Sequence, residues 1–328
     1  MRSLFRFGAG LAAVAAAAAC GTPAPAPAPP PAPSPAAAPA RVTAASARQT
    51  GADELGRVPV LMYHRLAERP RSVYERTPAD FTAELDRLAA ENYVPVTTAE
   101  FVTHRLDLPA GAHPVVLTFD DGDPSVFSLT PQGQPAAGTA IRILLDVAAA
   151  HPGFRPVASL YVNERPFGSD GDRELGWLAA HGFEIGNHTR HHTNLRTATE
   201  SQAVKAIAEE DAALRAYRPR TLALPYGARP RRPELALRGP GFSYDGVLLV
   251  GAGPAPSPCS SGFDPAAIPR IRSQSAGAEA EYGSAHWLDV LASPNGHRYT
   301  SDGDPATVAY PRSGPAPAPT CASVGLAY

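Results

Sequence analysis

Lysine is almost missing from this chain: Lys205 is its only lysine, and every other residue in the basic count of 29 is arginine. The arginines are scattered, 31 acidic residues bring the formal net charge to −2, and no basic block forms. The electrostatic footprint of a nucleic-acid binder is therefore absent. Cysteine is nearly as scarce, with three in 328 residues and no pair at CxxC spacing, which argues against a thiolate metal site. No internal repeat is visible, and the N-terminal apolar stretch 11–19 is too short to span a membrane. What remains is a 44% hydrophobic chain, long enough for one catalytic domain with a sizeable core.

The N-terminus reads as an address. Arg2 and Arg6 precede the apolar stretch, the pattern of an export signal over 1–19. Ala17-Ala18-Ala19-Cys20-Gly21 resembles the lipobox of bacterial lipoproteins, with Ala17 where leucine is usual, which implies acylation and membrane anchoring at Cys20. Residues 22–40 are almost all Pro and Ala. They cannot bury a core and favour extended polyproline II, which at about 3.1 Å per residue reaches on the order of 60 Å. The expected organisation is a signal peptide (1–19), an anchored linker (20–56), a catalytic domain (57–312) and a tail (313–328). In an oxidising compartment Cys259 and Cys321 are expected to pair and pin that tail.

Apolar runs at 58–63, 93–96, 115–119, 158–162, 183–186, 221–224 and 246–250 read as strands. Between them, helical spacing predicts helices from Pro78 (through Phe81, Leu85 and Leu88), over 141–150, 174–181 and 199–217. Such alternation predicts an α/β fold with a parallel sheet, open or closed into a barrel, whose ligand site lies beyond the carboxyl ends of the strands. His64, Asp120, Asp121, His188, His192 and Tyr226 all fall just after predicted strands, so they converge on one rim.

Their chemistry is complementary. Neighbouring strand residues point to opposite faces, so Asp120 and Asp121 share a site only where the strand breaks up, and Gly122 permits that turn. One carboxylate can then hold a metal while the other accepts a proton. His188 and His192, four apart, share a face if their loop makes a helical turn. Two imidazoles and a carboxylate leave open positions on Zn²⁺ or a similar ion.

Thr118-Phe119-Asp120-Asp121-Gly122 and His188-Thr189-Arg190-His191-His192 resemble the first two motifs of the polysaccharide deacetylases of carbohydrate esterase family four, the nodulation-type deacetylase domain. Leu224-Pro225-Tyr226-Gly227 resembles the third. Pro59-Val60-Leu61-Met62-Tyr63-His64 resembles the opening strand of the subgroup that includes biofilm poly-N-acetylglucosamine deacetylases. The resemblance implies a distorted (β/α) barrel of about seven strands over 58–272. It implies Asp120 as general base, Asp121, His188 and His192 as ligands of a divalent metal, zinc foremost, and the Tyr226 backbone N–H at the oxyanion. His64 is implied as the general acid in this subgroup, whereas the wider family takes that histidine from near the C-terminus, which points to His286.

Two departures stand out. The arginine that orients the base in the third motif is replaced by Ala223, leaving Arg229, Arg231 or Arg270 to substitute for it. A segment rich in Gly, Pro and Gln, 123–139, follows the aspartates and is expected to border the substrate cleft. His191 is expected to face solvent or support the ligands, and His104, His113, His151, His181 and His297 are read as surface residues. The expected activity is metal-dependent removal of N-acetyl groups from an extracellular amino-sugar polymer, peptidoglycan or poly-N-acetylglucosamine. The alternatives are O-deacetylation of acetylated xylan, a metal-dependent amidohydrolase of small molecules, or an inactive glycan-binding domain.

Overall fold

Short apolar strands separated by capped amphipathic helices give this chain its frame. In the computed structural model, which describes residues 41–168, 171–251 and 253–328, eight parallel strands make one sheet. They are β1 (Val60–Tyr63), β2 (Tyr93–Val96), β3 (His113–Asp120), β4 (Ser159–Val162), β5 (Glu184–Asn187), β6 (Thr221–Ala223), β7 (Gly246–Leu248) and β8 (Ile271–Arg272). The order is β7-β6-β5-β4-β3-β1-β8, and β2 lies along the first half of β3. A single strap brings the two ends together: Ile268 bridges in parallel to Leu248, while Ile271 and Arg272 pair with Leu61 and Met62. The result is the expected distorted (β/α) barrel.

Side-chain alternation sorts the strands into two faces. Leu61, Tyr63, Leu117, Phe119, Leu160, Val162 and Ile185 pack outward with Phe81, Leu85 and Leu88 of α2 (Pro78–Ala90) and with Ile141 and Leu144 of α4 (Ala140–Ala150). Each such burial contributes about 1.5–3 kcal/mol. The alternate residues Val60, Val116, Tyr161, Ala223 and Leu248 form a second cluster with Ile268. By the same parity Asp120, two residues beyond Thr118 and four beyond Val116, belongs to the inner face. Gly186 is required there, because a Cβ on it would lie 2.4 Å from the ring of Tyr161.

Helix starts follow their capping chemistry. Thr77 caps α2 with Pro78 in its first turn, Thr139 caps α4, and Thr199 with Gln202 forms a capping box on α6 (Glu200–Ala213). The predicted strand over 58–63 is interrupted at Pro59, which has no N–H to give; Arg57–Val58 instead pair antiparallel with Ala255–Pro256.

Two expectations change. Residues 41–56 do not continue a spacer: α1 (Ala44–Thr50) is capped by Thr43, and Ala47 and Ala52 are buried in a small cluster with Ala309. The compact unit accordingly begins at Arg41. Segment 123–139 does not itself line the cavity at the strand ends: Asp123 meets that cavity only through Arg65 at 4.0 Å, and Phe127 packs on Phe167 and Trp177. The Cys259–Cys321 disulfide is present, with Cα atoms 5.6 Å apart across 62 residues. No helix among the described residues is long and apolar enough to cross a membrane. The export signal, Cys20 and the tether 22–40 lie outside the described residues.

Candidate active site

Strand β3 delivers both aspartates to the rim, and the chain breaks out of the sheet one residue earlier than the glycine suggested. Asp121 itself has φ 74° and Gly122 φ 68°, so the second carboxylate swings back beside the first. The next arrivals come from the end of β5. His188 is buried, and its Nδ1 donates to the carbonyl of Ala223 at 2.8 Å, which fixes the proton on Nδ1 and leaves Nε2 as a bare donor atom. His192 reaches the same place without a helical turn. Thr189 and His192 both have positive φ, and the Thr189 hydroxyl accepts from the Thr193 N–H to hold the loop.

The three side chains meet. His188 Nε2 and His192 Nε2 lie 3.4 and 3.5 Å from the same atom, Asp121 Oδ1, and all three ligand atoms are within 4.8 Å of one another. Ligands 2.0–2.1 Å from a tetrahedral ion sit about 3.4 Å apart, so these separations suit such an ion. Asp121 Oδ1 is buried with no hydrogen-bond partner, a cost that a cation between it and the imidazoles would remove. Electrostatics point the same way. Burial pushes the His188 pKa down, but the carboxylates of Asp120 and Asp121 outweigh it and raise it, so positive charge is favoured at this nitrogen. At His192, by contrast, burial and then His188 lower the pKa.

Asp120 is almost wholly enclosed and faces Arg270, which is wholly enclosed. The guanidinium donates from Nη1 to Oδ1 at 2.8 Å and from Nη2 to Oδ2 at 2.7 Å, a bidentate fork. Its Nε donates to the Leu249 carbonyl at 2.6 Å and its Nη1 also contacts the Thr118 hydroxyl at 3.2 Å. Burial alone would push the Asp120 carboxyl up. Arg270, then His188 and His64, outweigh it and hold the group well below the usual carboxylate range. Of the three arginines considered for the place vacated at Ala223, the strap residue is the one on the carboxylate; Arg229 and Arg231 make no contact with it.

His64 follows β1 and puts Nε2 3.9 Å from Asp120 Oδ2. Burial lowers its pKa against the upward pull of Asp120 and Asp121. His286, in α8 (Ser284–Ala292), is exposed and does not line the cavity. Tyr226 does line it: its φ is 58°, its backbone N–H makes no hydrogen bond among the described residues, and its ring stands 4.4 Å from that of His192. His191 points elsewhere, to Glu164 at 2.9 Å. His113, read as a surface residue, is buried instead, with Nδ1 on the Tyr299 carbonyl and a pKa pushed down to about 4, chiefly by burial.

The cavity holding these groups measures about 380 Å³. Part of its wall was not foreseen from the sequence: Arg65, Ser72, Tyr74 and Glu75, all from the segment between β1 and α2. Tyr74, 38% exposed, meets the His64 ring edge-on at 5.0 Å. An aromatic amid polar neighbours was the available signal, but nothing in the sequence brings it back over the rim.

Residues 107–244 match the family model described as polysaccharide deacetylase, a span that includes Asp120, Asp121, His188, His192 and Tyr226 but neither His64 nor Arg270. Among solved structures, the deacetylase PplD of Streptococcus pyogenes, in complex with acetate, superposes with a TM-score of 0.55 at 18% identity, covering 72% of this chain and 99% of that one. IcaB from Ammonifex degensii gives 0.53 at 22% identity, over 71% and 97% respectively. A polysaccharide deacetylase from Bacillus cereus gives 0.51 at 18%, over 66% of this chain and 64% of that one. At these identities the structures attest a common fold. No curated protein matches the sequence. The polysaccharide deacetylase match thus falls on five of the residues that the barrel brings together.

Proposed function

We propose that the chain is a metal-dependent hydrolase that removes N-acetyl groups from an extracellular amino-sugar polymer of the peptidoglycan or poly-N-acetylglucosamine kind. One observation supports it above others: a carboxylate kept ionised by Arg270 stands beside, and apart from, an Asp121–His188–His192 cluster that suits a divalent ion. Nitrogen and carboxylate donors fit Zn²⁺, which when bound supplies Lewis-acid polarisation of the acetyl carbonyl and of water.

The chain's own residues supply the rest. Asp120, ionised throughout the working pH range, takes the proton from the attacking water. In this reading the Tyr226 N–H donates to the oxygen that becomes negative, an interaction worth about 3–4 kcal/mol for a well-placed donor. Breaking the amide then needs a proton on the departing nitrogen. His64, neutral at rest because its pKa is lowered, is placed at 3.9 Å to receive the proton that Asp120 has taken and to pass it to the amine. That provision for a poor leaving group favours N- over O-acetyl substrates. Export by residues 1–19 and acylation of Cys20 belong to the same reading, since the polymer lies outside the cell.

Acetate release from peptidoglycan, chitooligosaccharides and acetylxylan tests it. Asp120→Asn should abolish release, whereas His64→Ala should slow amide substrates far more than an aryl acetate, whose leaving group needs no proton. Equal losses on amide and ester would remove His64 from the acid role, and undiminished release by Asp120→Asn would end the mechanism.

A further inference from the structure

The catalytic cavity does not end at Tyr74. Ser72 and Glu75 line both it and a second polar pocket of about 380 Å³, set between the segment before α2 and the loop after β8. This pocket is built. Arg76, only 7% exposed, donates from Nη1 to the Ser275 hydroxyl at 3.1 Å and so joins the two walls. On the loop side, the Gln274 amide donates to the carbonyls of Ala276 and Ala278 and holds the loop, whose N–H groups at 276–278 make no backbone hydrogen bond among the described residues. Arg71, on the opposite wall, is exposed, and its guanidinium has no partner among the described residues.

Charge decides what such a pocket takes. Arg71 and Arg76 are matched by Glu75 and Asp80, so neither a strong anion nor a cation is favoured. Donors and acceptors mixed in near balance suit the hydroxyl and amide groups of a neutral sugar. Tyr74, fixed between His64 at 5.0 Å and the guanidinium of Arg272 at 5.5 Å, walls the junction without closing it.

We infer that this pocket is a saccharide subsite, taking the sugar next to the acetylated one when the substrate is an oligomer. The inference rests on the deacetylase reading for its ligand class, and binding tests it separately from catalysis. In an Asp120→Asn background of the full chain, so that substrate is not consumed, calorimetry compares N-acetylglucosamine with its β-1,4-linked tetramer. The tetramer is expected to bind at least roughly tenfold tighter, the worth of one or two hydrogen bonds to charged groups. Arg71→Ala, and separately Ala276→Trp, which fills the pocket from an exposed position, should each erase that advantage and leave monomer binding unchanged. Should the bulkier variant fail to fold, Arg71→Ala still decides. An advantage that is absent from the parent, or that survives Arg71→Ala, overturns the subsite. If the advantage behaves as expected while no acetate is released from any substrate by the unmodified enzyme, the subsite stands and the deacetylase reading falls.

Discussion

With its guanidinium enclosed and both Nη atoms on Asp120, Arg270 keeps ionised the carboxylate proposed as the base. A lysine there keeps the charge but loses the fork. Arg270→Lys should therefore lower kcat by roughly 10- to 100-fold, the worth of a hydrogen bond between charged groups, with a smaller change in KM. Arg270→Ala goes further. It leaves an uncompensated buried carboxylate, costing about 3–5 kcal/mol of stability by denaturant titration. A lysine variant with unchanged kcat would show that the fork does not matter. The sequence displayed the vacancy at Ala223 and offered Arg270 among its replacements, but it could not choose. Arg270 and Asp120 are 150 residues apart, and only the kinked strap, bonded to Leu249 by the same side chain, makes them neighbours. The proposed metal ligands were more legible, because Asp121 and His188 directly follow strands and His192 lies four residues on from His188. Their loop was not, because positive φ at Asp121, Thr189 and His192 leaves no signature in such side chains.

Strands with continuous apolar runs and helices with a threonine cap were readable nearly to the residue, since burial and capping are local in sequence. The elements that escaped are those stabilised from afar. Strand β8 is two residues long and exists because Leu61 and Met62 accept it. Helix α1 is seven residues, too short to persist alone, and is held by Ala47 and Ala52 against the C-terminal segment. Glu84 of α2 shows the same dependence: buried, it accepts hydrogen bonds from the hydroxyls of Tyr63, Ser273 and Ser284, tying the ends of β1 and β8 to the start of α8. The Cys259–Cys321 bond acts on this outlying region. Closing a loop of 62 residues is worth about 4 kcal/mol on chain-entropy grounds. Reduction, or Cys321→Ser, should lower the urea midpoint accordingly, while metal binding at the distant rim persists. An unchanged midpoint would mean that the region is held by packing alone.

Across the molecule, stability should depend on pH through Glu54. Burial first, and then the Asp302 carboxylate, push its pKa up to about 8, despite hydrogen bonds from the Ala309 and Asp302 N–H groups and the Tyr299 hydroxyl. The folded state therefore holds a proton that the unfolded chain releases near its ordinary value of 4.5. This contribution is complete below that value and is lost as pH rises toward 8, a change of a few kcal/mol at most. Melting temperature should fall between those limits, and Asp302→Asn should flatten the fall. A melting temperature that rises over this range would contradict the assignment.

The proposed function turns on whether Asp121, His188 and His192 grip a divalent ion beside Asp120. Its most direct test is the metal content of the purified full-length chain, measured with and without His188→Ala and read alongside acetate release after chelation and reloading. The account predicts about one divalent ion per chain, lost in the variant, with activity that disappears on chelation and returns with metal. A chain that carries no such ion after incubation with zinc, or that releases acetate equally well under chelator, would contradict it.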